Sequence, residues 1–225
     1  MDLTAHQISK KFNRRVGGAN WFYAVQPTDF TLESGKLAVI YGRSGSGKTT
    51  FLNMIGGLLQ PSGGRVLLGD TDLYAMSDKE LSAFRNKTIG MIPQGSTALG
   101  SLTVLENILV PAMIYGKISA EKDNYAKELL DTVGIGLLSD AMPQELSGGE
   151  QRRMAIARSL INSPEILLCD EPTGDLDDEN TRSVLELLRE VADKGTAVLM
   201  VTHEPEAKNY ANIVMKMDGG ALKNA

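Results

Sequence analysis

Short apolar, β-branched runs recur at residues 36–41, 64–68, 88–92, 165–169, 196–202 and 213–217. They show little of the two-residue alternation of a half-solvated strand, and most are bounded by Gly, Pro, Asp or Asn. The run 37–41, ending at Gly42, reads as a buried parallel strand. Helical patterns separate several of the runs, so the reading is an α/β core with a mostly parallel sheet. Residues 95–163 differ, with no convincing strand among them. Thr103 and Glu106 fit a capping box opening a helix over 104–115, in which Pro111 should produce a kink or a break. Ser119 is placed to cap a second helix with Ala126, Leu129, Leu130 and Val133 on one face, ended by Gly134. The expected organisation is one domain, 1–225. Its α/β core spans 1–94 and 164–225, and a helical lobe, 95–163, is inserted between strands. There are no internal repeats or low-complexity segments.

At 225 residues the chain is long enough for one large core carrying such a lobe. Lys plus Arg number 23 against 28 Asp plus Glu, a net charge of −5. This balance gives no sequence-wide reason to bind nucleic acid or anionic lipid. The basic runs Lys10-Lys11, Arg14-Arg15 and Arg152-Arg153 read as solvated faces. A single cysteine, Cys169, excludes an internal disulfide; inside an apolar run it reads as a small core residue in a reducing compartment. No segment reaches the ~18 apolar residues of a membrane span. The best, 108–115, is too short and contains Pro111. The first residues lack the cationic-then-apolar pattern of a secretory signal. A cytosolic chain without direct membrane insertion is expected, meeting a membrane only through a partner.

Candidate chemistry begins at Gly42-Arg43-Ser44-Gly45-Ser46-Gly47-Lys48-Thr49, which matches the spacing of a phosphate-binding P-loop. The run 37–41 ends at the first glycine, and Phe51, Leu52, Met54 and Ile55 supply a helical face behind the loop. Three glycines let the backbone curl so that successive N–H groups face phosphate oxygens, and the helix adds its positive end. Lys48 should reach the β- and γ-phosphates, and Thr49 should set its hydroxyl on Mg²⁺. Together with Thr50 these residues form the candidate nucleotide-binding segment. A Gly/Ser-rich turn with a chance lysine is the bland alternative, and the flanking strand and helix argue against it. Further on, an apolar run ends in Asp170-Glu171-Pro172. After a P-loop, a strand-end Asp holds Mg²⁺, usually through water. Glu171 is then placed to polarise an attacking water, as general base or orienting acceptor. A solvated acidic turn is the alternative there.

Leu146-Ser147-Gly148-Gly149-Glu150-Gln151 contains another capping box, Ser147 with Glu150, ahead of an apolar face of Met154, Ala157, Leu160 and Ile161. By itself this is a well-capped helix, although a glycine pair at a helix N-terminus also offers a second anion site. Between a P-loop and an Asp-Glu strand, the segment is similar to the signature of ATP-binding cassette (ABC) ATPases, and the resemblance covers essentially the whole chain. It implies the ABC ATPase fold: a P-loop NTPase core, an N-terminal antiparallel β part and an inserted α-helical lobe. ATP and Mg²⁺ are the implied ligands. By the same resemblance, Gln94 senses the γ-phosphate and Mg²⁺, Gly174-Asp175-Leu176-Asp177 crosses a dimer interface, and His203 is the switch histidine at the γ-phosphate. Ser147, Gly148, Gly149 and Glu150 would cover the partner's γ-phosphate. Phe12 resembles the adenine-stacking aromatic, with Phe22 and Tyr23 as alternatives. The implied partners are transmembrane permease subunits and a second ATPase subunit, identical or not, on the cytoplasmic face of the membrane.

Thr103-Val104-Leu105-Glu106-Asn107 and Asp170-Glu171-Pro172-Thr173-Gly174-Asp175-Leu176-Asp177 look most like the bacterial group of macrolide-exporter and lipoprotein-release ATPases. One departure follows Gln94, where that group tends to carry bulky apolar residues. Here Gly95-Ser96-Thr97-Ala98-Leu99-Gly100 is small and mostly polar, and Pro93 precedes the glutamine. DNA-repair and chromosome-organising ATPases need a long coiled coil between P-loop and signature; here about a hundred residues intervene, without heptads. Translation-associated relatives need two cassettes in one chain, and there is one. The expected function is an ATP-hydrolysing transporter subunit, the alternative being an ATPase that controls a membrane complex without moving cargo.

Overall fold

The computed structural model describes residues 1–14, 20–95, 97–116 and 118–225, without the side chains of Arg14 and Asn20; Arg15 and Ser96 thus lie outside the described residues. The chain begins with two long strands, β1 (Leu3–Arg14) and β2 (Asn20–Leu32), then β3 (Leu37–Tyr41) and helix α1 (Lys48–Ile55). β4 (Gly63–Leu68), β5 (Thr71–Asp72), α2 (Asp78–Thr88) and β6 (Ile89–Ile92) follow. Next come α3 (Val104–Met113), α4 (Ala120–Thr132), α5 (Gly148–Leu160), β7 (Ile166–Asp170) and α6 (Asp178–Asp193). The chain closes with β8 (Ala197–Thr202), β9 (Ile213–Asp218) and β10 (Ala221–Asn224).

Two sheets form. The larger has the order β10-β9-β3-β8-β7-β6 and is parallel except for β10. The smaller is antiparallel, β2-β1-β4-β5. The run at 64–68 therefore belongs to the antiparallel sheet. Its burial alternates toward its end, with Val66 and Leu68 inside and Leu67 half-buried, as one covered face requires. By contrast every residue of β7 and β8 is buried.

Alternate residues of the parallel strands feed two apolar layers. Val39, Leu167, Cys169, Val198 and Met200 pack with α3, α4, α5 and α6. Ala38, Ile40, Leu168, Leu199 and Val201 pack with α1 and the antiparallel sheet. A fully buried Val or Leu contributes about 1.5–3 kcal/mol relative to exposure, against about 1 kcal/mol for a helix cap. The layers hold the sheet; the caps fix where helices begin.

Those caps form at Ser77, Thr103 and Ser147, each in a reciprocal box with the glutamate three residues on. Helix α3 runs over Pro111 and stops at Met113. A proline this near the C-terminus removes one hydrogen bond and leaves few turns to disrupt. Gly134, at φ 75°, follows the end of α4. Arg152 departs from the solvated face expected of it, being only 8% exposed. Among the described residues no helix is long and apolar enough to cross a membrane.

Candidate active site

β3, β8, β7 and β6 are neighbours and run parallel, so their C-terminal ends open on the same side of the sheet. The chain leaves β3 into Gly42, β8 into His203 and β7 into Glu171, and reaches Gln94 just after β6. Adjacent strands are about 4.8 Å apart, which gathers residues distant in sequence into one crevice. A cavity of about 790 Å³ lies there, a size suited to a small-molecule site. It is lined by Arg43, Ser44, Gly45, Gly47, Lys48, Thr49 and Thr50, by Gln94, Glu171 and His203, and by Phe12, Phe22 and Tyr23 from β1 and β2.

Gly47, at φ 107°, shows why the loop needs glycine: a Cβ there would strike the Ala24 carbonyl oxygen. Gly42 is pressed just as closely against the Met217 carbonyl. Neither leaves room for a side chain between loop and β-framework. Helix α1 follows Gly47, its N-cap, without a capping side chain or an acidic residue in its first turn. Its positive end is therefore uncompensated by protein, the condition for anion binding. Among the described residues Ser46 Oγ, which is buried, has no hydrogen-bond partner.

Glu171 sits at φ 48°, left-handed for a non-glycine, a conformation that costs of order 1–3 kcal/mol. Its N–H donates to the Val201 carbonyl at 2.9 Å, pinning the turn to β8. This turn sends the two carboxylates to different neighbours. Thr49 Oγ1 donates to Asp170 Oδ1 at 3.2 Å. Glu171 Oε1 lies 3.4 Å from Lys48 Nζ, and its Oε2 accepts the His203 backbone N–H at 3.1 Å and lies 2.9 Å from His203 Nδ1. Lys48 Nζ also donates to the Gly42 carbonyl at 2.8 Å. Lys48, Glu171 and Asp170 are all more than nine-tenths buried.

Burial pushes the Asp170 carboxyl above the usual carboxylate range; the Thr49 hydrogen bond and the Lys48 charge oppose this, while the Glu171 charge adds to it. A carboxylate and a hydroxyl side by side form a hard-oxygen donor set that fits Mg²⁺. Among the described residues no group of three or more His, Cys, Asp or Glu could hold a metal. A Mg²⁺ site needs only one or two carboxylates when phosphates supply the rest.

Phe12 and Phe22 lie with ring centroids 6.2 Å apart, and Lys10 and Lys11 stand over the Phe12 and Tyr23 rings at 5.5 and 4.7 Å. All three aromatics reach the cavity, Phe12 among them. Ser147, Gly148, Gly149 and Glu150 do not. Ser147 Oγ and the Ser147 backbone N–H both donate to Glu150 Oε2 at 2.7 Å, which holds the Glu150 carboxyl below its usual range, and Ser147 Oγ accepts the Glu150 N–H at 3.3 Å. Gly148 instead borders a separate cavity of about 180 Å³ with Gly95 and Asp175.

One supporting feature escaped sequence reasoning. Gly219 and Gly220 line the nucleotide-sized cavity. Gly220 donates to the Ser46 carbonyl at 3.0 Å and accepts from the Gln26 N–H at 2.8 Å, joining P-loop and β2. Asp218-Gly219-Gly220 is a plain turn signal, but nothing in it points to the P-loop.

The profile of the ABC transporter family matches residues 25–174. The lipoprotein-releasing system ATP-binding protein LolD of Shewanella oneidensis is 43% identical over 222 residues, 98% of this chain and 95% of that one. LolD of Treponema denticola is 40% identical over 196 residues, 87% of each chain. Among solved structures, the dimeric ATP-binding cassette MJ0796, in a post-hydrolysis state with ADP and Pi, superposes with a TM-score of 0.88 at 30% identity, over 99% of this chain and 98% of that one. The parallel sheet, the P-loop cavity and these likenesses agree, and the chain belongs to the ABC transporter family as an ATP-binding, ATP-hydrolysing subunit.

Proposed function

We propose that this subunit powers a membrane transporter as half of a dimer in which each ATP lies between the P-loop of one chain and the Ser147 end of the other. The observation that carries this reading is the divided site. Lys48, Glu171, His203 and Gln94 line one cavity, whereas Ser147, Gly148 and Gly149 lie outside its lining. MJ0796, which is dimeric with ADP and Pi bound, supports a dimer of this chain.

Within each site, the N–H groups of residues 42–50 and the Lys48 ammonium would hold the phosphates, and Phe12 would stack on the adenine. Thr49 and Asp170, with Gln94, would hold Mg²⁺, which supplies positive charge against the phosphates when bound. Lys48 exchanges its contact with Glu171 for phosphate, which frees the carboxylate to orient and polarise the attacking water. His203 steadies that carboxylate and offers a donor as charge develops. Residues 95–163 act as the lobe that passes motion to a permease through the Gln94 segment. The exposed Leu58, Ile114 and Tyr115 border an open groove of about 290 Å³ beside this lobe, and an apolar surface of this kind supports a protein partner. The subunit would then sit on the cytoplasmic face of the membrane.

Light scattering tests the dimer. Without nucleotide the chain should be monomeric or weakly dimeric, because a net charge of −5 per subunit opposes association and the nucleotides supply much of the interface. A tight dimer independent of nucleotide contradicts the proposal. His203→Ala should lower hydrolysis about 100-fold while ATP affinity changes less than about threefold, since the contact matters once transition-state charge forms. An unchanged hydrolysis rate would return His203 to a structural part.

A further inference from the structure

Helix α5 carries three arginines with different destinations. Arg153 donates to the Val133 carbonyl and to Ser183 Oγ, at 3.3 and 2.9 Å, tying α5 to the end of α4 and to α6. Arg158 donates to the Thr97 carbonyl at 2.8 Å and also reaches Thr97 Oγ1. Arg152 turns inward. It is 8% exposed, its Nη1 donates to the Pro93 carbonyl at 3.5 Å, and it lines the 180 Å³ cavity with Gly95, Gly148 and Asp175.

Arg152 is expensive where it stands. A guanidinium has five N–H donors, and the hydrogen bond to Pro93 is long. Burial disfavours its charged form, with Cys169 and Asp175 as the compensating neighbours. Asp175, which lines the same cavity, is the acidic neighbour that opposes this. Such a group is weak evidence for stability, because apolar residues of equal volume often pack as well or better. Its contacts point elsewhere. The Pro93 carbonyl and the Gln94 N–H belong to one planar peptide, and the pyrrolidine ring fixes φ at Pro93. Anchoring that carbonyl therefore sets the direction in which Gln94 leaves. Gly95 follows at φ 80° with open space where a Cβ would be, so stiffness must come from the Arg152 side.

We propose that Arg152 is a positioning residue for ATP hydrolysis: through Pro93 it sets the backbone from which Gln94 enters the nucleotide cavity, and through Asp175 it links that backbone to the loop after Glu171. This rests on the reading that Gln94 works at the Mg²⁺ and γ-phosphate end. Asp175 at φ 63° belongs to the loop that follows Glu171, and Arg152 lies on the helix that begins at Ser147. One buried side chain thus bonds to the residue before Gln94 and faces the loop after Glu171 across the 180 Å³ cavity.

The test is a double-mutant cycle in the full chain, reading kcat, KM for ATP and ADP affinity for Arg152→Ala, Gln94→Ala and the pair, with Arg153→Ala as a control on the same helix. Arg152→Ala should lower kcat about tenfold, the scale of a slightly misplaced active-site group, with ADP affinity within about twofold of the parent. Arg152→Lys, which keeps the charge, should recover part of the loss. The pair should be no slower than Gln94→Ala alone, whereas any loss from Arg153→Ala should multiply through. If the Arg152 loss multiplies through as well, or if Arg152→Ala changes only the melting temperature, the inference falls while the reading of Gln94 stands. If Gln94→Ala itself leaves kcat unchanged, that reading falls and the inference with it. Should Arg152→Ala fail to fold, the same cycle with Arg152→Lys decides by the same outcomes.

Discussion

Replacing Lys48 by alanine is expected to abolish ATP hydrolysis and to weaken nucleotide binding. A hydrogen bond to a charged group contributes about 1.5–3 kcal/mol, which at 1.4 kcal/mol per decade corresponds to roughly 10- to 150-fold in affinity. The loss in turnover should be larger, because phosphoryl transfer rests mainly on positioning and charge stabilisation. Lys48 is also the cation paired with Glu171, at 3.4 Å. The alanine variant would leave that carboxylate held by His203 alone. The measurements are ATP turnover and nucleotide titration on the same preparation, with circular dichroism to confirm the fold. Normal turnover in Lys48→Ala would remove the P-loop from the mechanism.

The sequence was most readable where burial on both faces forces continuous apolar runs. The five parallel strands fall within a residue of their expected limits, because runs such as Leu167-Leu168-Cys169 have no polar alternative at their positions. β1 and β2 were hidden for a physical reason. Their register slips between Ala5 and Ile8, between Ile8 and Lys10, and between Lys10 and Lys11. Buried Leu3 and Ala5 keep a two-residue step, but the next buried position is Ile8, so a bulge breaks the alternation that marks a strand. The antiparallel part was foreseen only through the family resemblance. Helix α2 carried a visible signal, Ser77 with Glu80, but buries little besides Leu81, which leaves almost no apolar stripe. The charge of Arg152 suggested solvent; only the fold, which brings its side chain to the Pro93 carbonyl, puts it inside. The residues that line the cavity at the strand ends were legible because glycine spacing reports backbone shape directly. What spacing could not convey is the turn at Glu171, whose left-handed φ sends adjacent carboxylates to Thr49 and to Lys48.

Glu171→Gln should stop hydrolysis while leaving ATP bound, so that ATP accumulates between two chains and holds them together. The substitution keeps the size and hydrogen-bonding capacity of the side chain but removes the charge that polarises water. It also removes the ion pair to Lys48, so the lysine loses a competitor for phosphate and binding should not suffer. Adding Ser147→Arg should undo the dimer. Ser147 caps α5 and bonds reciprocally with Glu150, and a long cationic side chain there breaks the cap and blocks the approach of the partner's γ-phosphate. The P-loop of the same chain is untouched, because Ser147 does not border that cavity. Size-exclusion chromatography in Mg·ATP on Glu171→Gln and on the double variant, with nucleotide binding measured in parallel, separates the outcomes. A double variant that keeps ATP and loses the dimer places the Ser147 end in trans. Two proteins that bind ATP yet stay monomeric mean that assembly requires the membrane partner. A double variant that dimerises as strongly as Glu171→Gln removes Ser147 from the interface.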